Sequence, residues 1–239
     1  MMIIIILAVL TLLTFYCIVF IKNKPLRFVT GTISFVLLTL AVLGLTLQIT
    51  DKWAMKEVTS TESHQIYTAG DTTAPYGMLV QSEIGKNTNN YVLVYRNDEK
   101  SKKPVTTNVP DEKHIIETLK KTATYKVADV EKATAKTTTT KRVFKNEFWK
   151  VIFGVGGEQN ELVKKHTLVT VPKDTWLVLT QDQVTKLTKE APAMQAEMKE
   201  SLKANPEKAL QLAELQKSDP TAYAKMQVQQ IKTLLGIKE

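Results

Sequence analysis

The chain has 239 residues, with 32 lysines and arginines against 24 aspartates and glutamates and only three histidines. That length accommodates one globular domain with an anchor, or two small domains. Cys17 is the only cysteine, which excludes an intramolecular disulfide and a cysteine-based zinc site and leans toward a bacterial protein exported without disulfides. Charge is unevenly placed. All 24 acids lie at or beyond Asp51, and Lys22, Lys24 and Arg27 lie between two uncharged runs, so from Asp51 onward 29 basic side chains face 24 acidic ones. Such a mild balance suits anionic lipid or an anionic wall polymer as a neighbour. No basic stretch is interleaved with aromatics, so nucleic acid is not an expected partner.

Residues 3–21, with Ile3 and Ile21 as predicted ends, form the first apolar run. At 1.5 Å per residue it reaches about 28 Å, close to the roughly 30 Å hydrocarbon core of a bilayer. Residues 28–49, ending at Phe28 and Ile49, form the second. The six residues between them contain Pro25, read as a helix breaker, and predict a tight antiparallel transmembrane helical hairpin over residues 1–50. A cleaved signal peptide would need a basic start and a small-x-small cleavage site, and neither is present around the first run. Three basic residues in the connector outweigh Lys52 and Lys56, which are accompanied by Asp51, Glu57 and Glu62. Lys22, Lys24 and Arg27 are therefore the topology determinants. They predict a cytoplasmic connector in the plasma membrane, with the N-terminus and the large C-terminal part outside. Trp53 fits an interfacial anchor.

Residues 51–180 read as a β-rich, water-facing domain. Residues 76–84 and 90–96 are β-branched and aromatic, and flank Gly85-Lys86-Asn87-Thr88-Asn89, a loop of hairpin composition. Residues 97–114 carry charges with Pro104 and Pro110 and predict a long exposed loop. Residues 122–131 alternate at first and then lose the pattern. The threonine-rich tract 133–146 is either a low-complexity linker or a strand, and threonine's β propensity favours the strand. Residues 148–153 read as a strand running into Gly154, Gly156 and Gly157, with further strands at 163–171 and 176–180. Roughly eight short strands predict an antiparallel sheet or sandwich.

From Thr180 the period lengthens, and residues 181–239 read as amphipathic helices. Thr180 and Gln183 have capping-box spacing, and Val184, Leu187, Ala191, Met194, Met198 and Leu202 form one stripe. Asn205-Pro206 and Asp219-Pro220 are helix starts, and Gly236 is a C-cap. Pro192, Pro206 and Pro220 are evenly spaced and suggest helical units of similar length.

Catalytic signatures are weak. His64, His114 and His166 are about fifty residues apart and carry no ligand spacing. The glycines at 154, 156 and 157 lack the Lys-Ser/Thr of a phosphate loop. No catalytic, cofactor-binding or metal-binding residue is predicted, and no cofactor. The aromatic cluster Phe144, Phe148, Trp149 and Phe153 reads as sheet core, with sugar or lipid binding as the alternative.

The Met-Ile-Ile-Ile-Ile opening, the Lys22-x-Lys24-Pro25-x-Arg27-Phe28 connector, Lys56-Glu57-Val58-Thr59-Ser60-Thr61, Gln65-Ile66-Tyr67 and Phe148-Trp149-Lys150 together resemble a family of two-span membrane proteins from lactic acid bacteria whose domain has no known function. The likeness covers roughly the first 180 residues. It implies a Gram-positive plasma membrane and carries over no activity or site. The expected class is α+β: a transmembrane helical hairpin, an antiparallel β-rich extracytoplasmic domain and C-terminal helices. The expected role is a non-enzymatic envelope interaction or scaffold protein, with the lipid bilayer, an envelope protein or an anionic wall polymer as partners. The alternative is an envelope enzyme or enzyme accessory acting on lipid or wall precursors through a groove near Trp149 and the glycine turn, to be tested by alanine at Trp149 and His166.

Overall fold

The computed structural model describes residues 2–110, 112–154 and 159–237. In chain order the elements are α1 (Met2–Val19), α2 (Lys24–Asp51), β1 (Met55–Gln65), β2 (Gly77–Glu83), β3 (Tyr91–Tyr95) and β4 (Val105–Thr107). There follow α3 (Ile115–Leu119), β5 (Lys121–Ala128), β6 (Thr134–Phe144), α4 (Glu147–Phe153), β7 (Glu161–Pro172) and β8 (Trp176–Thr180). Helices α5 (Gln181–Ala204), α6 (Pro206–Ser218) and α7 (Pro220–Leu235) complete the described chain. The class is α+β, as the sequence implies. The sheets are mixed rather than purely antiparallel: β1-β6-β7-β5 contains the parallel pair β5–β7, and β4-β3-β2-β8 contains the parallel pair β2–β8. Parallel neighbours need long crossovers, so local sequence cannot reveal them.

The chain divides into two compact units, residues 1–60 with 139–164, and residues 61–138 with 165–239. In the first unit α1 and α2 touch along one seam. Ile3, Thr14 and Cys17 are buried on α1, and Gly31, Ser34 and Gln48 on α2. Small residues allow the approach, since a β-carbon on Gly31 would stand 3.3 Å from Ile18. Both helices are long and apolar enough to cross a membrane. The connector is shorter than expected: Pro25 does not break a helix but sits in the first turn of α2 with Lys24 and Arg27, where its missing N–H costs nothing. The predicted ends Ile3 and Phe28 lie inside the helices, Ile49 near the end of α2, and Ile21 in the connector with Lys22.

Residues 148–153 form the helix α4 rather than a strand. Asn146 caps it by accepting the Trp149 N–H at 3.1 Å, Glu147 pairs with Lys150 at 3.1 Å, and Trp149 stacks on Phe153 one turn on. Those local bonds outweigh the β propensity of Val151 and Ile152. Gly156 and Gly157 lie outside the described residues. The threonine tract is strand β6, antiparallel to β1, with Thr59 facing Thr140 (3.0 Å) and Thr61 facing Thr138 (3.5 Å). The expected loop at 97–114 contains β4, paired with β3, and a 3-10 turn, Glu112–His114.

The second unit is layered. Leu79, Leu93 and Tyr95 from one sheet meet Ala123, Ala135, Val169 and Val171 from the other, bulky side chains against small ones. The alternate residues Met78, Leu177 and Leu179 point to the opposite face and are covered by Leu187 of α5 and by Val228 and Ile231 of α7. With both faces buried, β2 and β8 read as continuous apolar runs rather than alternating ones. Gly77 is required because Trp176, its register partner, lies where a β-carbon would be. In the β2–β3 loop Gly85, Asn87 and Asn89 adopt positive φ, as the loop composition implies. The Thr180–Gln183 capping box forms at 2.8 and 3.3 Å, and Gly236 ends α7 in the left-handed region. Pro192 does not begin a unit; α5 runs through it, one backbone bond short.

Because α5 and α7 bury the second face of the sheet, Leu179→Ala should cost about 2–5 kcal/mol in urea unfolding of the detergent-solubilised chain. A loss below about 1 kcal/mol would mean that the helices are not docked there. Lys225 of α7 donates to Asp174 at 3.0 Å, and that bond with the ammonium charge holds the Asp174 carboxyl below its ordinary value. A carboxylate with a lowered folded value contributes its stability at neutral pH and loses it as pH falls through that value. Hydrogen exchange in α7 should therefore rise in acid, and Asp174→Asn should raise it at pH 7 and flatten the acid response.

Candidate functional site

Two places in the fold gather side chains beyond packing needs, one in each unit. In the first unit, α2 gives way to β1 within four residues. Asp51 ends the helix and Lys52 turns the chain in the left-handed region (φ 53). Trp53 folds back so that its indole N–H donates to the Gly44 carbonyl at 3.0 Å. The Ala54 N–H, fully buried, donates to the side-chain oxygen of Gln48 at 3.0 Å, and Gln48 is itself 1% exposed. Its amide nitrogen has no partner among the described residues, so this buried polar side chain is held for the single bond it accepts.

Helix α4 packs onto the same corner. Trp149 meets Trp53 edge-on at 4.6 Å, Phe153 lies 5.8 Å from each, and Ile3, Leu7, Leu45 and Phe144 close the cluster. The cluster is a core, as the sequence reading favours, but a core of helix ends and α4. Phe148 and Val151 of α4 remain exposed beside it.

In the second unit the end of the sandwich is open. Asn90 bridges its two sheets, its side-chain oxygen accepting the Ala123 N–H at 2.9 Å and the Asn108 amide at 2.8 Å. Next to this bridge lies a cleft of about 360 Å³. The parallel register sets Lys121 opposite Lys165, and Thr167, buried two residues on, shares a 3.2 Å contact with Thr137. Tyr95 closes the far wall; burial pushes its phenol above the ordinary value, so it stands there as a neutral donor. No signal in the sequence marks this cleft, since its lining comes from five strands and loops far apart in the chain.

The histidines are not brought into a ligand set. His64 lies 3.3 Å from Asn97, and the His166 ring sits between Thr122 (2.9 Å) and Thr124 (3.3 Å). Among the described residues no group of three or more His, Cys, Asp or Glu side chains could hold a metal ion.

A family model described as a domain of unknown function, DUF4811, matches residues 23–187. The chain belongs to the DUF4811 family. The matched region takes in α2, the corner at Gln48 and Trp53, both sheets and the cleft, and ends at Leu187, the residue that pins α5 on the sheet. No curated protein and no solved structure matches the chain.

If Gln48 is what satisfies the buried chain at the corner, Gln48→Met should lower stability by about 1–3 kcal/mol, read from Trp53 and Trp149 fluorescence during unfolding in micelles. An unchanged midpoint would mean that the Ala54 N–H finds another partner.

Proposed function

We propose that this DUF4811 protein is a two-span membrane protein that presents its β-rich part on the extracytoplasmic side of the plasma membrane and acts by binding envelope components rather than by catalysis. One observation carries the membrane reading. Along residues 2–19 of α1 and 28–49 of α2 the exposed faces carry no charge and are dominated by apolar side chains, including Phe15, Phe28, Ile33 and Phe35. Of the exposed threonines on those faces, all but Thr32 bond their hydroxyl to a carbonyl of their own helix. Thr11 donates to Leu7 (2.8 Å), Thr30 to Leu26 (2.8 Å), Thr39 to Phe35 (2.9 Å) and Thr46 to Val42 (2.9 Å). Such bonds make the hydroxyls compatible with hydrocarbon, and since Thr185 and Thr188 of α5 form them too, it is the apolar faces that carry the reading.

The direction of insertion rests on the basic residues. Lys22, Lys24 and Arg27 lie at the connector end, with no acid near them, and favour the cytoplasmic side. The opposite end carries the Trp53–Trp149 corner, and aromatic rings of this kind settle at the bilayer–water boundary. Phe148 and Val151 on α4 extend that boundary contact, with the Glu147–Lys150 pair turned to water. A binding role is supported by the polar cleft of the second unit, and the candidate partners are an envelope protein or an anionic wall polymer.

Topology in intact cells tests the reading. In a Cys17→Ser background, Lys24→Cys, Lys102→Cys and Gln216→Cys are each labelled with a membrane-impermeant maleimide. Labelling at 102 and 216 but not at 24 is the expected pattern. Labelling at 24 alone would put the domain in the cytoplasm and overturn the envelope role.

A further inference from the structure

We propose that the cleft beside Lys121 and Lys165 binds a polyol phosphate, with the two ammonium groups holding the phosphoryl oxygens and the hydroxyl-lined wall reading the polyol. The inference deepens the binding role proposed above and rests on it for its biological setting, though the chemistry of the cleft stands on its own geometry.

The placement of charge is the first ground. Strands β5 and β7 are parallel neighbours in register, so Lys121 and Lys165 emerge side by side, on the face that two residues later carries Ala123 and Thr167 into the core. Like charges on adjacent strands repel, a cost that an anion between them removes. Glu117 reaches Lys121 at 3.7 Å, but it does not line the cleft. Lys165 has no ion pair among the described residues, and no carboxylate is among the side chains that line the cleft. Lysines hold phosphate oxygens as point charges, without the planar fork by which arginine binds carboxylate and phosphate alike.

The wall is the second ground. Apart from the lysines and Val109, the lining is hydroxyl and amide, and includes Thr107, Thr137 and Thr167, the Tyr95 phenol and the Asn108 amide. The Tyr95 phenol has no hydrogen-bond partner among the described residues and opens into the space. Asn108 spends its amide hydrogens on Asn90 (2.8 Å) and the Tyr91 carbonyl (3.3 Å), which leaves its side-chain oxygen as an acceptor. Donors and acceptors of this kind match the hydroxyls of glycerol or a longer polyol. A volume of about 360 Å³ takes one or two polyol-phosphate units.

Polyol phosphate occurs both in wall polymers and in lipid headgroups, and one experiment separates them. The full chain, in nanodiscs of phosphatidylcholine, is titrated by calorimetry with sn-glycerol 3-phosphate, with a short glycerol-phosphate oligomer and with inorganic phosphate. We expect saturable binding of glycerol phosphate, weakened about tenfold or more in the Lys121→Gln, Lys165→Gln double variant and weakened again by the nearly isosteric Thr167→Val. Tighter binding of the oligomer marks a polymer as the source. Loss of soluble-probe binding when phosphatidylglycerol is added to the nanodisc marks the headgroup. The proposal is overturned if the folded wild type, with unchanged circular dichroism, shows no saturable binding, or if the double variant binds as well as the wild type. Inorganic phosphate binding as tightly as glycerol phosphate would overturn the polyol reading. Failure here with residues 102 and 216 labelled outside the cell removes the cleft's ligand alone. Binding here with those residues unlabelled removes the envelope setting and leaves the affinity standing.

Discussion

A helix whose outward faces are dominated by apolar side chains cannot run directly into a water-exposed strand, because its last carbonyls and the first amides of the strand need partners where few are at hand. Lys52 turns the chain in a left-handed conformation, the Gln48 side chain takes the buried Ala54 amide, and the Trp53 indole returns to the Gly44 carbonyl two turns back. The start of β1, the seat of α4 and the burial of Ile3 on α1 all depend on that corner. Thr14 and Ser34, buried in the α1–α2 seam, satisfy their hydroxyls within their own helices, whereas Gln48 is buried there with its oxygen turned to the chain beyond α2.

The second unit meets a different constraint. One sheet has to bury both of its faces, and it does so by alternation: Leu79 and Leu93 face the small alanines and valines of the other sheet, while Met78, Leu177 and Leu179 face α5 and α7. Apolar pairing is continuous through the middle of the sandwich and gives out at the end where Lys121 and Lys165 emerge. There the sheets are joined instead by the Asn90 side chain, which satisfies one donor from each. A polar join leaves polar space beside it. The proposed ligand site is the consequence of how the sandwich ends.

The proposed binding role fits the division of labour between the units. Thr11, Thr30, Thr39 and Thr46 close their hydroxyls onto their own helices. Thr107, Thr137 and Thr167 belong to strands, where the hydroxyl cannot reach the carbonyl one turn back, and line the cleft. The same residue type is apolar in one setting and polar in the other, and the backbone decides which.

By itself the sequence determined the elements whose causes are local. Uncharged runs gave two helices, the Thr180–Gln183 spacing gave a capping box, Asn205-Pro206 and Asp219-Pro220 gave helix starts, and glycine with asparagine gave the β2–β3 turn. It misplaced residues 148–153, where the Asn146 cap and the packing of Trp149 and Phe153 overrode strand propensity, and it read Pro192 as a boundary although a helix can lose one bond and continue. Only the tertiary structure decided the parallel pairings of β2 with β8 and β5 with β7, because partners separated by forty residues or more leave no mark on local periodicity. With those pairings came the covering of the sheet by α5 and α7, and the meeting of Lys121 with Lys165 across one strand register.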